Sequence, residues 1–330
     1  YIIKRILLMI PTIIGIAVIT FAVVHLAPGD PAALKAQSAS EALSSDQMTR
    51  EIVDGTRALY GLDKPLYVQF GIWLKRIATL DFGNSYRDHR PVIDKIGDAL
   101  PITLTLNILT ILIIYLVSIP LGAYTALKPK GFVDRISAVL LMALYSLPSF
   151  WIAMMLIVWL ASGDHLNWFP VTGFVSEGAG RLSWHGWISN VAWHLALPVA
   201  CLTYGGFAFL SRFTRASMLD VIKQDYIRTA RAKGLPEWRV AVLHGLRNAL
   251  IPLLTLMGTL LPALLGGSVI IEQIFSIPGM GRLGFESVLA RDYPVIMAIA
   301  TISAALTLVS ILITDIMYAM VDPRISYGKR

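Results

Sequence analysis

The chain is poor in charge and in cysteine, and each shortage excludes a class of protein. Only 15% of its 330 residues are charged, while 56% are hydrophobic. A soluble domain carries about 25% charged residues, so the composition predicts an integral membrane protein. The single cysteine, Cys201, lies inside an apolar run. A single thiol in such a run excludes both a disulfide framework and a thiolate metal site.

The sequence also lacks the motifs that bind nucleotides or catalytic metals. It has no Gly-x4-Gly-Lys-Ser/Thr loop to hold phosphates and no His-Glu-x-x-His pair. Its six histidines do not recur at metal-ligand spacing. No serine or cysteine is marked as a nucleophile, which disfavours an intramembrane hydrolase. We therefore expect no catalytic residue, no metal site and no cofactor in this chain.

The positive charge of the chain has a different explanation from nucleic-acid binding. The formal net charge is +7, but the cations concentrate in the short segments that flank apolar runs. That placement is typical of the cytoplasmic loops of membrane proteins. No basic groove with stacking aromatics accompanies it, so we expect membrane lipid and no nucleic acid as a partner.

Six apolar runs are long enough to cross a bilayer, which takes about 20 residues. They cover residues 6–27, 102–127, 136–161, 191–211, 250–275 and 294–321. The first run is longer than the apolar core of about 7–15 residues in a secretory signal, so it predicts a retained helix. The short loops after the second, fourth and sixth runs hold most cations. The fold expected is therefore all-α, with six transmembrane helices and both termini cytoplasmic.

An external segment is expected after the first helix, from residue 32 to residue 100. We divide the chain accordingly into residues 1–101, which hold the first helix and this segment, and a core of five helices in residues 102–330. Within the segment, apolar residues recur at helical spacing. They are Tyr67, Phe70, Trp73, Leu74 and Ile77. This face either packs on the rest of the segment or lies on the membrane surface.

A cationic stretch from Asp225 to Pro252 separates the fourth and fifth runs. Residues 226–233 favour a helix, and Gly234 stands where a helix ends in a left-handed residue. Pro236 then suits the start of a new helix, and Glu237 complements its positive end. We expect two short helices at the cytoplasmic surface, either as a functional loop or as a solvated hairpin.

This stretch resembles the cytoplasmic coupling loop of ABC importer permeases. Arg228-Thr229-Ala230 stands at the Glu-Ala-Ala position, Gly234 follows at the family spacing, and His244 to Arg247 replaces the final Ile-x-Leu-Pro. The version RTARAKG, followed by LRNALIP, is similar to the dipeptide, oligopeptide and nickel (DppB/OppB-type) branch. The first and last elements depart from the general motif, which weakens that match when it is taken alone.

Further motifs of the same branch occur in the family's order along the chain. They are PGDP at 28–31, LYGLDKP at 59–65, DFGNS at 81–85, EQIFSIPGMG at 272–281 and RDYP at 291–294. The Asp-Phe-Gly triplet is also a kinase signature, but no kinase loop accompanies it. The resemblance covers essentially the whole chain.

The resemblance implies a permease subunit of a peptide importer in the bacterial inner membrane, working by alternating access. Its implied partners are a second, related permease, two ATP-binding subunits that hold ATP and Mg²⁺, and an external substrate-binding protein. Dipeptides, longer peptides, a nickel complex and an oligosaccharide all remain open as substrates. The ATPase-coupling residues it implies are Arg228, Thr229, Ala230, Lys233, Gly234, Leu235, Glu237, His244 and Arg247.

An ion-coupled carrier is the alternative from another class. Such carriers place ionisable groups near the bilayer midplane and often contain inverted repeats. The acids Glu272 and Asp315 lie near span ends, where pairing with a basic side chain is favoured over proton coupling. We find no internal repeat, so the energy is expected to come from a partner chain.

The translocation path should lie where spans are interrupted or lined by small residues. Prolines leave carbonyls that can face a wet cavity, and small residues let helices approach closely. The candidates are Ser146, Pro148, Thr203, Gly258, Gly267 and Ser268. Tight helix packing alone is the alternative for each of them. The external loop 162–190 and its tryptophans form either an interfacial aromatic belt or a contact with the binding protein.

Overall fold

The computed structural model describes residues 2–26, 53–58, 61–163, 165–250, 252–253, 256, 264 and 266–321. The named helices are α1 (Ile2–Leu26), α2 (Leu66–Thr79), α3 (Val92–Leu127), α4 (Phe132–Tyr145), α5 (Ser149–Leu156), α6 (Trp184–Ile222), α7 (Asp225–Ala232), α8 (Glu237–Arg239), α9 (Val269–Ile274), α10 (Met280–Leu289) and α11 (Tyr293–Val321). Two π-helical turns, Ile157–Ala161 and Val240–Leu246, extend α5 and α8. A single β-bridge pairs Asn84 with Pro91 among these residues.

Four helices of the described part are long and apolar enough to cross a membrane: α1, α3, α6 and α11. A fifth candidate is the pair α4 and α5 with its π-turn, which is bent by 95°. These helices match five of the six predicted runs. Eleven of the 26 residues in the run 250–275, Gly258 among them, lie outside the described residues. The described chain thus supports a helical membrane protein with four or five spans.

The bend in the third run has a local cause in the sequence. Pro148 is the N-cap of α5 with φ −63° and ψ 137°, and a proline disfavours α conformation in the residue before it. Tyr204 Oη donates a hydrogen bond of 2.7 Å to the Leu147 carbonyl. This bond satisfies one of the backbone groups that the interruption of the helix leaves without a helical partner.

The helices of the second and fourth runs are longer than their apolar cores. α3 already begins at Val92, and α6 extends from Trp184 to Ile222. At the start of α6, Ser183 acts as N-cap, since its side chain accepts a hydrogen bond from the Gly186 N–H. An apolar run marks only the apolar part of a helix, so the runs did not predict the polar ends of α3 and α6.

The chain forms two compact units, which are described separately. The first comprises Tyr1–Pro101 and Gly279–Leu312, and the second comprises Ile102–Pro278 and Ile313–Arg330. In the first unit, α2 packs on the core through Trp73, which is 3% exposed, with Phe70, Leu74 and Ile77 beside it. This contact supports the interpretation that the apolar face of α2 packs inside the protein, although Tyr67 is exposed.

The buried core of the second unit is built from α3, α5, α6 and α9. Leu106, Ala153, Leu195 and Ile271 belong to one apolar cluster and are almost completely buried. The Gly173 N–H donates to the Phe275 carbonyl at 2.8 Å, which fixes the loop between α5 and α6 on this core.

Candidate functional site

The cationic stretch after α6 folds as a short helix held by its apolar side. In α7, Ile227 is completely buried and Ala230 is 6% exposed. Both pack against Val240 of the following turn, with Leu235 and Val221 at the edge of the cluster. The remaining side chains of α7 therefore point away from this small core.

Gly234 makes the turn between the two short helices. It has φ +77°, which confirms the left-handed conformation predicted for it. Its N–H donates to the Arg231 carbonyl at 2.9 Å. A Cβ added at Gly234 would meet no atom within 4 Å, so the backbone angle alone makes glycine suitable here.

An ion pair connects the two sides of the Gly234 turn. Arg231 donates through Nε to Glu237 Oε1 at 2.8 Å and through Nη2 to Oε2 at 3.3 Å. The planar guanidinium matches the carboxylate in this two-bond geometry. Both side chains are largely exposed, so the pair aligns the helices more than it stabilises them.

The exposed side of the stretch combines cations with aromatic rings. Arg228, Thr229, Lys233 and Arg247 are exposed, and Trp238 has 62% of its surface exposed. The Arg239 guanidinium carbon lies 5.2 Å from the centre of the Trp238 ring. Leu235 and His244 are half-buried. Such a surface is suited to docking another protein, because tryptophan and arginine are enriched at interface centres.

The stretch is fixed to the membrane helices by packing, and a charge pair nearby joins α4 to α6. Met218 of α6 is completely buried with Ala126 of α3 and Ala249. Three residues before Met218, Arg215 donates to both carboxylate oxygens of Asp134 in α4, at 2.8 Å and 2.9 Å. The packing contacts connect the stretch with α3 and α6, and the charge pair connects α6 with α4.

The predicted path residues lie on elements that pack against one another. Ser146 and Pro148 flank the bend between α4 and α5, where both are exposed. Thr203 is buried in α6 and donates to the Ala200 carbonyl at 3.1 Å. Gly267 has φ +61° and Ser268 is the N-cap of α9. α9 contacts both α5 and α6, so the elements that carry these residues pack together, although α6 itself is continuous through Thr203.

A buried carboxylate organises the break before α9. Glu272 is completely buried and accepts hydrogen bonds of 3.2 Å from Thr103 Oγ1 of α3 and from the Ser268 N–H. Asn107, one turn after Thr103, donates to the Leu264 carbonyl at 2.8 Å. Thr103 and Asn107 were missed in the sequence, although an asparagine inside an apolar run is a recognisable signal.

The first unit contains a second polar cluster, which joins two of the sequence motifs. Asp292 of RDYP is 1% exposed; it accepts hydrogen bonds from Ser85 Oγ of DFGNS and, at 2.9 Å, from the Tyr86 N–H. Lys95 Nζ donates to Ser85 Oγ at 3.1 Å and to Asp88 at 2.8 Å. The cluster fixes the loop before α3 to the segment before α11.

The charge environment of Asp88 favours its ionised form. Burial opposes ionisation, but hydrogen bonds from Lys95, Ser85 and the Arg90 backbone outweigh it and lower the pKa of Asp88 from 3.8 to about 2. Glu286 of α10 is bound by Arg282 at 2.7 Å and by Arg87 at 3.1 Å. The Arg282 hydrogen bond is the main reason that the pKa of Glu286 is lowered.

No group of three or more His, Cys, Asp or Glu side chains suited to a metal ion occurs among the residues that the structure describes. The polar groups of both clusters are engaged by neighbouring side chains and backbone.

Comparison with known proteins shows similarity along the entire chain. Residues 118–327 match the binding-protein-dependent transport system inner membrane component family, and residues 1–107 match its N-terminal region. The chain is 42% identical over 328 residues to the oligopeptide transport system permease protein AppB of Bacillus subtilis, covering 99% of each chain. It is 34% identical to the dipeptide transport system permease protein DppB of Alkalihalophilus pseudofirmus, again over 99% of each. These matches confirm the resemblance drawn from the motifs: the chain belongs to the family of binding-protein-dependent transport system inner membrane components, as a multi-pass protein of the bacterial inner membrane.

Proposed function

We propose that this chain is the permease subunit of an ABC importer that moves peptides across the inner membrane. The full-length similarity to permeases named for oligopeptide and dipeptide transport is the observation that carries this conclusion. A nickel complex or an oligosaccharide is the alternative substrate within the same importer type. The chain itself catalyses no covalent step in this account.

The proposed partners are a second, related permease, two ATP-binding subunits and an external binding protein. ATP and Mg²⁺ are bound by the ATP-binding subunits. The stretch Asp225–Pro252 is proposed to dock in a groove of one of these subunits. Its exposed cations and Trp238 provide the contact surface, while Ile227, Ala230 and Val240 keep its helices rigid.

Alternating access then follows from the way this stretch is attached. Closure of the ATP-binding subunits displaces α7, and the contacts of Met218 and Arg215 pass the displacement to α3, α4 and α6. The helices tilt and open the path outward, and hydrolysis of ATP resets the inward-facing state. We propose that six spans with cytoplasmic termini carry this movement.

The path is proposed to run beside the interruptions at Ser146–Pro148 and Gly267–Ser268 and beside Thr203 of the continuous helix α6, with Gly258 on the fifth span. The hydrogen bonds of Glu272 to Thr103 and to the Ser268 N–H support this position. They hold open a break in the helix at which backbone carbonyls can face water.

The substrate class is tested with the associated external binding protein and the complete transporter. Binding of a dipeptide, a pentapeptide, a nickel chelate and a maltooligosaccharide is measured by calorimetry, and uptake into proteoliposomes follows for each ligand that binds. Peptide binding with peptide uptake is expected. Uptake of the nickel chelate or the sugar without uptake of either peptide would overturn the proposed substrate.

A further inference from the structure

An apolar groove with one cation lies between α4 and α6 in the second unit. It has a volume of about 410 Å³ and is lined by Met142, Tyr145, Ala208, Phe209, Arg212 and Phe213. This volume falls in the range of roughly 300–1,000 Å³ that is usual for ligand pockets. Arg212 is the only charged residue among the described residues that line it, so the groove fits a ligand that is largely apolar but carries an anion.

Two contacts show which end of the groove holds the cation. Arg215 pairs with Asp134 near the start of α4, and Tyr204 bonds to the Leu147 carbonyl just after its end. α4 and α6 are therefore antiparallel, and the groove lies between these two contacts. Arg212 is one turn from the Arg215–Asp134 pair, while Ala208 is about 6 Å further along the helix axis, at 1.5 Å per residue.

Arg212 and Arg215 differ in how their charge is balanced. The charge of Arg215 is balanced by the Asp134 carboxylate, to which Arg215 donates two hydrogen bonds. Arg212 is exposed and, among the described residues, forms no ion pair with a carboxylate. Because a guanidinium binds phosphate oxygens in a two-bond geometry, a phosphate is the complementary group at this end.

We propose that this groove binds an anionic phospholipid, with its phosphate on Arg212 and an acyl chain along Phe209, Met142 and Tyr145. Cytoplasmic leaflets are rich in anionic lipids, and basic pockets between transmembrane helices are suited to their headgroups. Lipid in the groove packs against α4 and α6 beside the Arg215–Asp134 pair, which joins these two helices. Because α6 ends just before the stretch Asp225–Pro252, lipid in the groove also affects the proposed coupling. Only this last consequence rests on the proposed function, since lipid binding itself does not require transport.

The proposal is tested by native mass spectrometry of the complete transporter titrated with palmitoyl-oleoyl phosphatidylglycerol. Wild type should bind this lipid in preference to the matching phosphatidylcholine. Arg212→Gln should weaken phosphatidylglycerol binding about fivefold, the value of one arginine near an anionic headgroup, and Arg212→Lys should restore much of it. Arg135→Gln is the matched control, because it removes an exposed arginine of α4 that does not line the groove. Equal binding by wild type and Arg212→Gln would overturn the proposal.

A second measurement identifies the occupant directly. A photoreactive benzoylphenylalanine in place of Tyr145, which is 66% exposed, should give an adduct with the mass of phosphatidylglycerol. Inorganic phosphate should not compete with that adduct, because it cannot fill the apolar walls. An adduct with the second permease would show that the groove is a protein interface and would contradict the lipid proposal, whatever the transport activity.

Discussion

At the scale of single residues, Gly234 gives the sharpest prediction. Its φ of +77° is disfavoured for β-branched residues, and left-handed geometry costs an ordinary residue about 1–2 kcal/mol. Gly234→Val should change the orientation of the two short helices and abolish or strongly reduce transport, while membrane insertion and assembly stay normal. Uptake is measured at matched expression. Gly234→Asn is the control, because asparagine tolerates this conformation and should retain most activity. Wild-type uptake by Gly234→Val would mean that the stretch is only a surface hairpin.

Glu272 gives a prediction about stability at the same scale. Glu272→Leu removes the acceptor of Thr103 Oγ1 and the Ser268 N–H. A hydrogen bond to a charged group contributes about 1.5–3 kcal/mol, so the thermal unfolding midpoint should fall. Glu272→Gln keeps an acceptor oxygen and should fall less. If both variants unfolded at the wild-type temperature, Glu272 would not hold the break before α9.

At the scale of elements, the rigidity of α7 depends on a very small core. Ile227→Ala empties a fully buried position beside Val240, and such a truncation costs about 2–5 kcal/mol. The change leaves the exposed cations intact, yet transport should fall and amide exchange in residues 225–240 should rise. Ile188→Ala removes a half-exposed isoleucine of α6 and should change neither. Unchanged exchange in Ile227→Ala would show that the cluster does not fix the helix.

The loop before α3 should lose part of its attachment in acid. The pKa of Asp88 is about 2 in the folded protein, below its usual value of 3.8. A lowered pKa stabilises the folded form above the unfolded pKa, and this contribution is lost as pH falls from about 4 to 2. The unfolding midpoint of wild type should therefore exceed that of Asp88→Asn at pH 6, and the difference should shrink toward pH 2. A difference that stays constant with pH would contradict this account of Asp88.

Three features of the structure show what the sequence could and could not predict. The break between the two short helices at Gly234 could be predicted, because the glycine lies between a segment that favours a helix and a proline. This signal depends only on neighbouring residues. The pairing of Ser85 with Asp292 could not be predicted, since these residues are 207 positions apart and each looks ordinary alone. The bend of the third run was marked by Pro148, but its angle of 95° depends on packing against α6. The coupling role of Arg228, Lys233 and His244 stays a prediction.

At the scale of the whole molecule, the proposed topology predicts which loops are reached from each side. Four separate variants each carry one added cysteine. It replaces Asp63 or Glu177 on the proposed external side, or Lys130 or Arg135 on the proposed cytoplasmic side. An impermeant maleimide added outside should label the first two only. The native Cys201 is 2% exposed, so background labelling should be small. Labelling of residue 130 from outside would contradict the six-span arrangement.

The central claim is that partner ATPases drive transport through this chain. The most direct test is uptake of a labelled peptide into proteoliposomes that contain the second permease, the ATP-binding subunits and the external binding protein. We predict uptake that requires every component and ATP, that persists when ionophores collapse pH and sodium gradients, and that is accompanied by ATP hydrolysis stimulated by the loaded binding protein. Uptake by this chain alone, driven by a pH or sodium gradient without ATP, would contradict the account.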